Sequence, residues 1–261
     1  MQEYDYIVFA IKHFYLVCTL EGMIRLFPVS VCLYINYSES SIILRAYTKD
    51  FGYKSFIIRG IRTKKKKKIT LGQLQPLTIL DIEFNNSKNN NLSYLKSIKI
   101  IETFTSINSD IIKINISLFL SEFLSKTLTI DIKNSELFLF IKQSLLWFDN
   151  SNNISNFHLL FILKLTNYLG ITPKFSSEKV SFFDIENGVF TDAPTSSSYF
   201  KGQVVKDLQS ILGIKFDYNN NVLTNVNQRK DMLNFLISYF EFHVPGFKKP
   251  KSVDILNEVF S

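Results

Sequence analysis

Residues 59–68 concentrate side chains that bind phosphate. The segment begins with Arg59-Gly60-Ile61-Arg62-Thr63 and continues with five lysines, Lys64, Lys65, Lys66, Lys67 and Lys68. Lysine is a compact point charge that binds phosphate without reading base sequence. The run therefore predicts a loop that neutralises a phosphate backbone. The alternative is a solvated charge run, since a chain this rich in Lys, Asn and Ile is also typical of an AT-rich genome.

The positive charge of the chain is confined to one segment. Residues 23–105 contain 14 Lys and Arg against 5 Asp and Glu, a net charge of +9. Residues 106–261 contain 15 of each and are neutral, and residues 1–22 carry a net charge of −2. This distribution indicates an anion-binding module beside a more neutral one.

A length of 261 residues suits one large domain or two small ones, and the charge break near residue 105 favours two. We therefore predict domains at residues 23–105 and 106–261. Residues 1–22 are interpreted as an N-terminal extension of unknown role, with Met23 as an alternative start. Glu3 and Asp5 argue against a signal peptide, and Lys12 interrupts the apolar run well short of a membrane span.

The only two cysteines, Cys18 and Cys32, lack a CxxC spacing. They indicate neither a disulfide framework nor a zinc site, and they favour a reducing cytoplasm.

The first domain is predicted to consist of β-strands. Apolar, partly β-branched runs recur between short turn segments. They lie at residues 31–35, 41–48, 53–61, 77–84 and 92–104, and the last two are predicted to pair as a hairpin. Five strands in about 75 residues suit a small OB-fold barrel, a class that commonly binds single-stranded nucleic acid in a basic groove.

The apolar period becomes helical after Thr105, which predicts a mostly α-helical C-terminal domain and an α+β protein. A first helix is expected to follow the cap Ser109-Asp110. Others are predicted at residues 135–148, 155–168, 201–212, 227–242 and 252–259, with Gly170 as a helix stop. Residues 172–198 are predicted to be rich in loops, with an extended stretch at 180–190.

Three arginines of the strand region, Arg45, Arg59 and Arg62, are candidate phosphate ligands beside the lysine run, because a charge on a strand face is seldom fully buried. Their alternative role is an ordinary solvent-facing position. The aromatic residues that could stack on bases are Tyr47, Tyr53, Phe56 and Tyr94. A barrel also needs such side chains for its core, so most of them are assigned to packing.

Enzyme signatures are absent from the sequence. It contains neither a GxxxxGK[ST] phosphate loop nor a GxSxG nucleophile motif. Asp81 and Glu83 share a strand face without the partners that a catalytic Mg²⁺ site needs. His158 is interpreted as a packed core histidine, and His243 is expected to hold the turn that follows it. We predict no catalytic residues, no metal and no cofactor.

Several ordered segments resemble the bacterial recombination mediator family RecO, in its Bacteroidetes type. In the strand region they are Tyr37-Ser38-Glu39-Ser40-Ser41, Gly60-Ile61-Arg62 and Leu74-Gln75-Pro76-Leu77. In the helical region they are Asn156-Phe157-His158-Leu159-Leu160-Phe161, Leu169-Gly170-Ile171-Thr172-Pro173 and the stretch from Tyr239 to Phe247.

Two features depart from the family. Many members keep a four-cysteine zinc knuckle after the Leu-Gly-x-x-Pro motif, but residues 172–198 contain no cysteine. Residues 26–29 are also more apolar than the family's usual first strand, which puts DNA contacts from that strand in doubt.

The resemblance implies a cytoplasmic, nucleoid-associated mediator without catalytic turnover or membrane attachment. Such a protein binds single- and double-stranded DNA, anneals complementary strands, and acts with RecR to help load RecA onto strands coated by single-stranded-DNA-binding protein. The acidic tail of that coating protein is expected to bind near Phe247, Lys248, Lys249 and Lys251, for which the alternative is a basic turn in solvent.

Three other functions stay open from the sequence. They are an RNA-binding OB-fold factor, a metal-dependent phosphodiester-processing enzyme, and an adaptor that keeps its protein partners but has lost DNA binding.

Overall fold

A computed structural model of the protein describes residues 24–25, 29–62, 69–85, 92–128, 133–174, 180–212, 214 and 222–259. The predicted α+β class is confirmed, because strands come first along the chain and most helices follow. The lysine run, the extension at residues 1–22 and the segment 86–91 lie outside the described residues. Within the described part of the chain, no helix is long and apolar enough to cross a membrane.

All five strands predicted between residues 29 and 104 are present. The N-terminal strands are β1 (Ile24–Arg25), β2 (Val29–Asn36), β3 (Ile42–Thr48), β4 (Gly52–Ile58), β5 (Ile79–Asn85) and β6 (Leu92–Ile100). A 3₁₀ turn at Leu71–Gln73 precedes β5. The third predicted strand ends earlier than expected, at Ile58, because Gly60 adopts a φ of 67°, which an extended strand does not.

The strands pair in the order β1-β5-β2-β3-β4-β6, and β5 also pairs with β6. The predicted β5–β6 hairpin is confirmed, with Asp81 opposite Lys99. All the pairs are antiparallel except β4–β6, which is parallel. Alternate residues of β3 and β4 form one apolar core. They are Ile42, Leu44, Ala46, Phe56 and Ile58.

Six helices follow among the described residues. They are α1 (Ile111–Thr127), α2 (Ser135–Asn150), α3 (Phe157–Leu169), α4 (Gln203–Ile211), α5 (Val226–His243) and α6 (Ser252–Val259). The predicted cap of α1 is confirmed, because the Asp110 carboxylate accepts bonds from the Ile112 and Lys113 N–H groups at 2.8 and 3.0 Å. Gly170 ends α3 in the left-handed region, with a φ of 71°.

A second, small sheet lies between α3 and α4. Its strands are β7 (Phe182–Asp184), β8 (Val189–Thr191) and β9 (Tyr199–Lys201), in the order β8-β7-β9. The predicted extended stretch at 180–190 is confirmed. The prediction that the next helix begins at Lys201 is wrong, because Lys201 pairs with Phe182 and Gly202 turns the chain with a φ of 82° before α4 starts.

Asp149, near the end of α2, fastens the connection between the strands and the helices. Its carboxylate accepts bonds from the Thr105, Ser106 and Ile107 N–H groups at 3.1, 2.8 and 2.8 Å. Burial alone raises the pKa of Asp149, but these bonds outweigh it and lower the pKa. The connecting segment is therefore held by a fixed negative charge.

Two tyrosines join the strands to the helices. The Tyr47 hydroxyl donates to the Asn134 carbonyl at 3.1 Å and accepts from the Asn134 N–H at 3.2 Å. The Tyr53 hydroxyl donates to the Ser125 carbonyl at 3.4 Å. Tyr47 is fully buried within the main helical core. The helices consequently cover this end of the face formed by β3 and β4.

Glu122 of α1 anchors the C-terminal helix. Its carboxylate accepts bonds from the Lys251 and Ser252 N–H groups, both at 2.9 Å, and from the Ser252 hydroxyl at 2.7 Å. An ion pair to Lys126 at 3.1 Å completes the set. Burial alone raises the pKa of Glu122, but these bonds outweigh it and lower the pKa from 4.5 to about 2.

This anchor predicts a loss of stability in acid. A carboxyl whose pKa falls on folding stabilises the fold above its unfolded value and loses that contribution as the pH drops through its folded value. We expect Glu122→Gln to be less stable than the natural chain at neutral pH, and the two chains to converge between pH 4.5 and about 2. Urea unfolding at a series of pH values measures this difference, with Glu258→Gln, a change of an exposed acid of α6, as the matched control. A difference in stability between the natural chain and Glu122→Gln that stays constant down to pH 2 would contradict this prediction.

Candidate nucleic-acid interface

One face of the N-terminal sheet is exposed at Arg59, Tyr94 and Lys96 and half-buried at Arg45 and Ser55. Residues that alternate with the core positions of β3, β4 and β6 point away from the core. Together with Arg59, which directly follows β4, we call them the open face: Arg45, Ser55, Tyr94 and Lys96. Register brings them together, since Arg45 is paired with Ser55 and Ile57 with Tyr94.

Arg59 and Tyr94 form a stacked, hydrogen-bonded pair on the open face. The guanidinium carbon of Arg59 lies 4.7 Å from the centre of the Tyr94 ring. Its Nη2 also donates to the Tyr94 hydroxyl at 2.9 Å. Both side chains are exposed, and Tyr94 keeps 44% of its surface accessible. A cation stacked on an exposed ring can bind a phosphate and also offer a surface to a base.

A cleft of about 320 Å³ opens beside this pair. Its floor is apolar, with Ile57, Ile61 and Ile69 among the lining residues, and its other lining residues include Arg59, Tyr94 and Lys96. Ligand sites commonly combine an apolar floor with a few polar groups at the rim. The cleft therefore suits a ligand that has one flat apolar part and one anionic part.

The lysine run is bounded in sequence by two residues of this cleft. Ile61 precedes the run and Ile69 follows it, and both are buried in the core of the strand region. Both also line the cleft, together with Arg59 and Tyr94. Lys64 to Lys68 themselves lie outside the described residues, so their role as phosphate ligands stays a prediction.

The three arginine candidates lie at different places. Arg59 is in the cleft, whereas Arg62 is exposed one residue beyond Ile61. Arg45 is half-buried in the middle of β3 and does not line the cleft. Of the four candidate aromatic residues, Tyr47 and Phe56 are fully buried and Tyr53 is partly buried. The assignment of most of them to packing is confirmed, and Tyr94 is the one that remains exposed.

Sequence reasoning missed Lys96. The alternation of β6 could have revealed it, since Tyr94 and Lys96 are two residues apart and must lie on one face of a strand.

The two acidic residues of β5 each lie opposite a polar or basic residue of β6. Glu83 accepts a bond from the Ser97 hydroxyl at 2.9 Å, and Asp81 is paired with Lys99.

Two protein-family models match this chain. A model described as Recombination protein O N terminal matches residues 27–104, and one described as Recombination protein O C terminal matches residues 108–252. The chain belongs to the recombination protein O (RecO) family.

Curated relatives match over most of this RecO-family chain. The DNA repair protein RecO of Flavobacterium psychrophilum is 37% identical over 227 residues, which is 87% of this chain and 95% of the relative. Its counterpart in Bacteroides fragilis is 30% identical over 237 residues, 89% of this chain and 98% of the relative. The resemblance to Bacteroidetes-type RecO sequences is thereby confirmed.

The C-terminal candidate site of this RecO-family chain needs one correction. The expectation that Phe247 contacts a partner peptide is wrong, because only 5% of the residue is exposed. The centre of its ring lies 5.0 Å from that of Phe123 and 5.6 Å from that of Phe240. Lys249 forms an ion pair with Asp254 at 3.3 Å. Lys248 and Lys251 are exposed. A partner site here therefore has its cations but not its apolar anchor.

The two histidines of the RecO C-terminal region have structural positions. His158 is buried, which confirms its assignment to the core, and desolvation and Arg229 lower its pKa to about 3. His243 lies 2.7 Å, through its Nε2, from the carbonyl of Ile185. It therefore holds the turn between β7 and β8 to α5, and not the turn that follows it.

Among the described residues of this RecO-family chain, no group of three or more His, Cys, Asp or Glu side chains is arranged to hold a metal ion.

Proposed function

We propose that this chain is a DNA-repair recombination mediator whose strand region binds the phosphate backbone of single- and double-stranded DNA. The observation that carries the proposal is the exposed Arg59–Tyr94 pair beside a cleft that also includes Lys96. Membership of the RecO family and the relatives named DNA repair protein RecO support it.

The proposal includes a closed OB-fold barrel at residues 23–105 and a helical domain at residues 106–261. Pairing of β5 with both β2 and β6, together with the parallel β4–β6 pair, supports closure of the sheet. OB-folds commonly bind oligonucleotides on the face of their second and third strands, which correspond here to β3 and β4. The open face lies on these strands and on β6.

The mechanism is electrostatic. The net charge of +9 on residues 23–105 attracts two polyanionic strands to one surface and screens their mutual repulsion, so that complementary strands meet more often. Lysines supply charge without base recognition, so pairing between the strands selects the partner.

The protein partners follow from the family. We propose that the helical domain joins RecR and the acidic tail of single-stranded-DNA-binding protein, and that the assembly helps RecA load in the cytoplasm, at the nucleoid. Lys248, Lys249 and Lys251 remain the proposed cations for the tail.

Annealing of two fluorescently labelled complementary oligonucleotides tests this function. We expect the protein to accelerate annealing, the acceleration to fall as salt rises, and both strands to stay intact with Mg²⁺ or Mn²⁺. Two non-complementary strands are the matched control and should give no signal. Binding and annealing that are both absent at low salt would contradict the proposal and leave the adaptor function, whereas metal-dependent cleavage would indicate an enzyme.

A further inference from the structure

We propose that the cleft beside Tyr94 binds one unpaired nucleobase, so that the open face distinguishes single strands from duplex. This inference rests on the proposed DNA binding and adds a specific ligand to it. Phosphate contacts alone do not favour a single strand, because a duplex carries the denser backbone charge.

The first argument is the exposure of Tyr94. A large aromatic side chain in the middle of a strand is usually buried against the core, and Tyr47 and Phe56 of the same sheet are fully buried. Tyr94 instead leaves 44% of its surface accessible, and Arg59 holds its position through the 2.9 Å hydrogen bond to its hydroxyl. A ring held in place at the surface loses little freedom when a base packs on it.

The second argument is the shape and polarity of the cleft. Its volume of about 320 Å³ lies at the lower end of the range for small-molecule pockets, which suits a single planar group. The floor formed by Ile57, Ile61 and Ile69 makes no demand for hydrogen bonds, so any base can enter. Arg59 and Lys96 at the rim supply the cations for the phosphate of the same nucleotide.

The third argument is the structure of the ligand. In a duplex the bases are stacked and paired inside the helix, and reaching the cleft requires that one be unstacked. A flexible single strand presents its bases at no such cost. Duplex is then held through phosphates only, so the cleft favours the unpaired strand.

This preference has a consequence for strand pairing. When two bound strands anneal, pairing withdraws the base from the cleft, and the product keeps only its phosphate contacts. The product duplex should therefore leave the protein faster than either unpaired strand, which frees the site for another round.

A comparison of two oligonucleotides that carry the same phosphates tests the base site. One is oligothymidylate, and the other has the same length but an abasic residue at every position. We expect the natural chain to bind oligothymidylate about tenfold more tightly, the effect of one stacked base. Tyr94→Ala should bind both strands alike, whereas Tyr94→Phe, which keeps the ring but loses the hydrogen bond from Arg59, should retain most of the preference.

Tyr199→Ala is the matched control, because Tyr199 is an equally exposed tyrosine, 43% accessible, in the small sheet. It should behave as the natural chain. Equal binding of both strands by the natural chain, or an unchanged preference in Tyr94→Ala, would overturn the base site and leave salt-dependent DNA binding intact. If the natural chain binds neither strand even at low salt, both the base site and the proposed function are contradicted.

Discussion

Replacement of Asp184 with alanine is expected to lower the free energy of unfolding by about 3 kcal/mol or more. Only 1% of Asp184 is exposed, and its carboxylate accepts bonds from the backbone N–H groups of Asn187, Thr195 and Ser196 at 3.1, 3.3 and 3.3 Å. Side chains of the same three residues donate as well. Alanine leaves these donors without their acceptor.

The effect should reach the whole helical region. Phe183, next to Asp184, is fully buried. The centre of its ring lies 5.2 Å from that of Phe235 and 5.9 Å from that of Tyr239, both in α5. Gly188 also lies against α5, since an added Cβ would approach the Tyr239 hydroxyl to 2.8 Å. Loosening the small sheet therefore disturbs the core of the helices.

Urea unfolding followed by circular dichroism measures this change. Asp184→Asn should lose less stability than Asp184→Ala, because it keeps one acceptor oxygen. Asp192→Ala is the matched control, since Asp192 is exposed and accepts a single bond in the same segment, from the Ser181 N–H at 3.3 Å. If Asp184→Ala and Asp192→Ala unfold at the same urea concentration, the carboxylate does not organise the segment.

The second large effect is expected from exchange of Lys64 to Lys68 for glutamine. For single strands, log affinity falls with log salt by about 0.7 per phosphate neutralised, so five contacts account for a slope of about 3.5. Between 50 and 200 mM salt that slope amounts to a loss of about a hundredfold in affinity. The natural chain should show this loss, and the five-glutamine variant should lack most of it.

The matched control removes the same charge elsewhere. Five exposed lysines outside residues 23–105 are suitable, namely Lys133, Lys174, Lys201, Lys206 and Lys230. Their exchange for glutamine gives the same net charge, so the whole-molecule attraction is equal in the two variants. Fluorescence anisotropy with a labelled oligonucleotide at several salt concentrations gives the slope of log affinity against log salt for each variant. Equal slopes in the two variants would show that the run does not contact phosphates.

The strands and most helices followed from local patterns. The period of the apolar residues predicted β3, β4 and β5. The cap at Asp110 predicted the start of α1, and the stop at Gly170 predicted the end of α3. The start of α4 was misplaced because a helical pattern does not reveal that Lys201 pairs with a distant strand. Pairing across the chain depends on tertiary contacts, which a local pattern does not contain.

The candidate site was predictable in composition but not in arrangement. Charge density singled out Arg59 and the lysines, yet the contact between Arg59 and Tyr94 depends on the parallel pairing of β4 with β6, across 35 residues. Phe247 shows the opposite case. Its basic neighbours suggested a surface anchor, and its packing against Phe123 became visible only in three dimensions.

The extended stretch at 180–190 was predicted, but its pairing into a three-stranded sheet with β9 was not. Many RecO family members have a zinc knuckle in the loop that corresponds to residues 172–198, but this chain has no cysteine there. Asp184 collects its bonds from residues up to 12 positions away, with nothing in the spacing to mark it as their acceptor. The bonds lower the pKa of Asp184, although burial alone raises it, which is the signature of a carboxylate that organises its surroundings.

The central claim is that DNA binds on the open face of the strand region. Hydrogen–deuterium exchange of the natural chain, with and without saturating oligothymidylate, tests it most directly. The account predicts slower exchange in residues 42–62 and 92–100, and unchanged exchange in α2 and α3. Protection confined to the helices, with none in β3, β4 or β6, would contradict it.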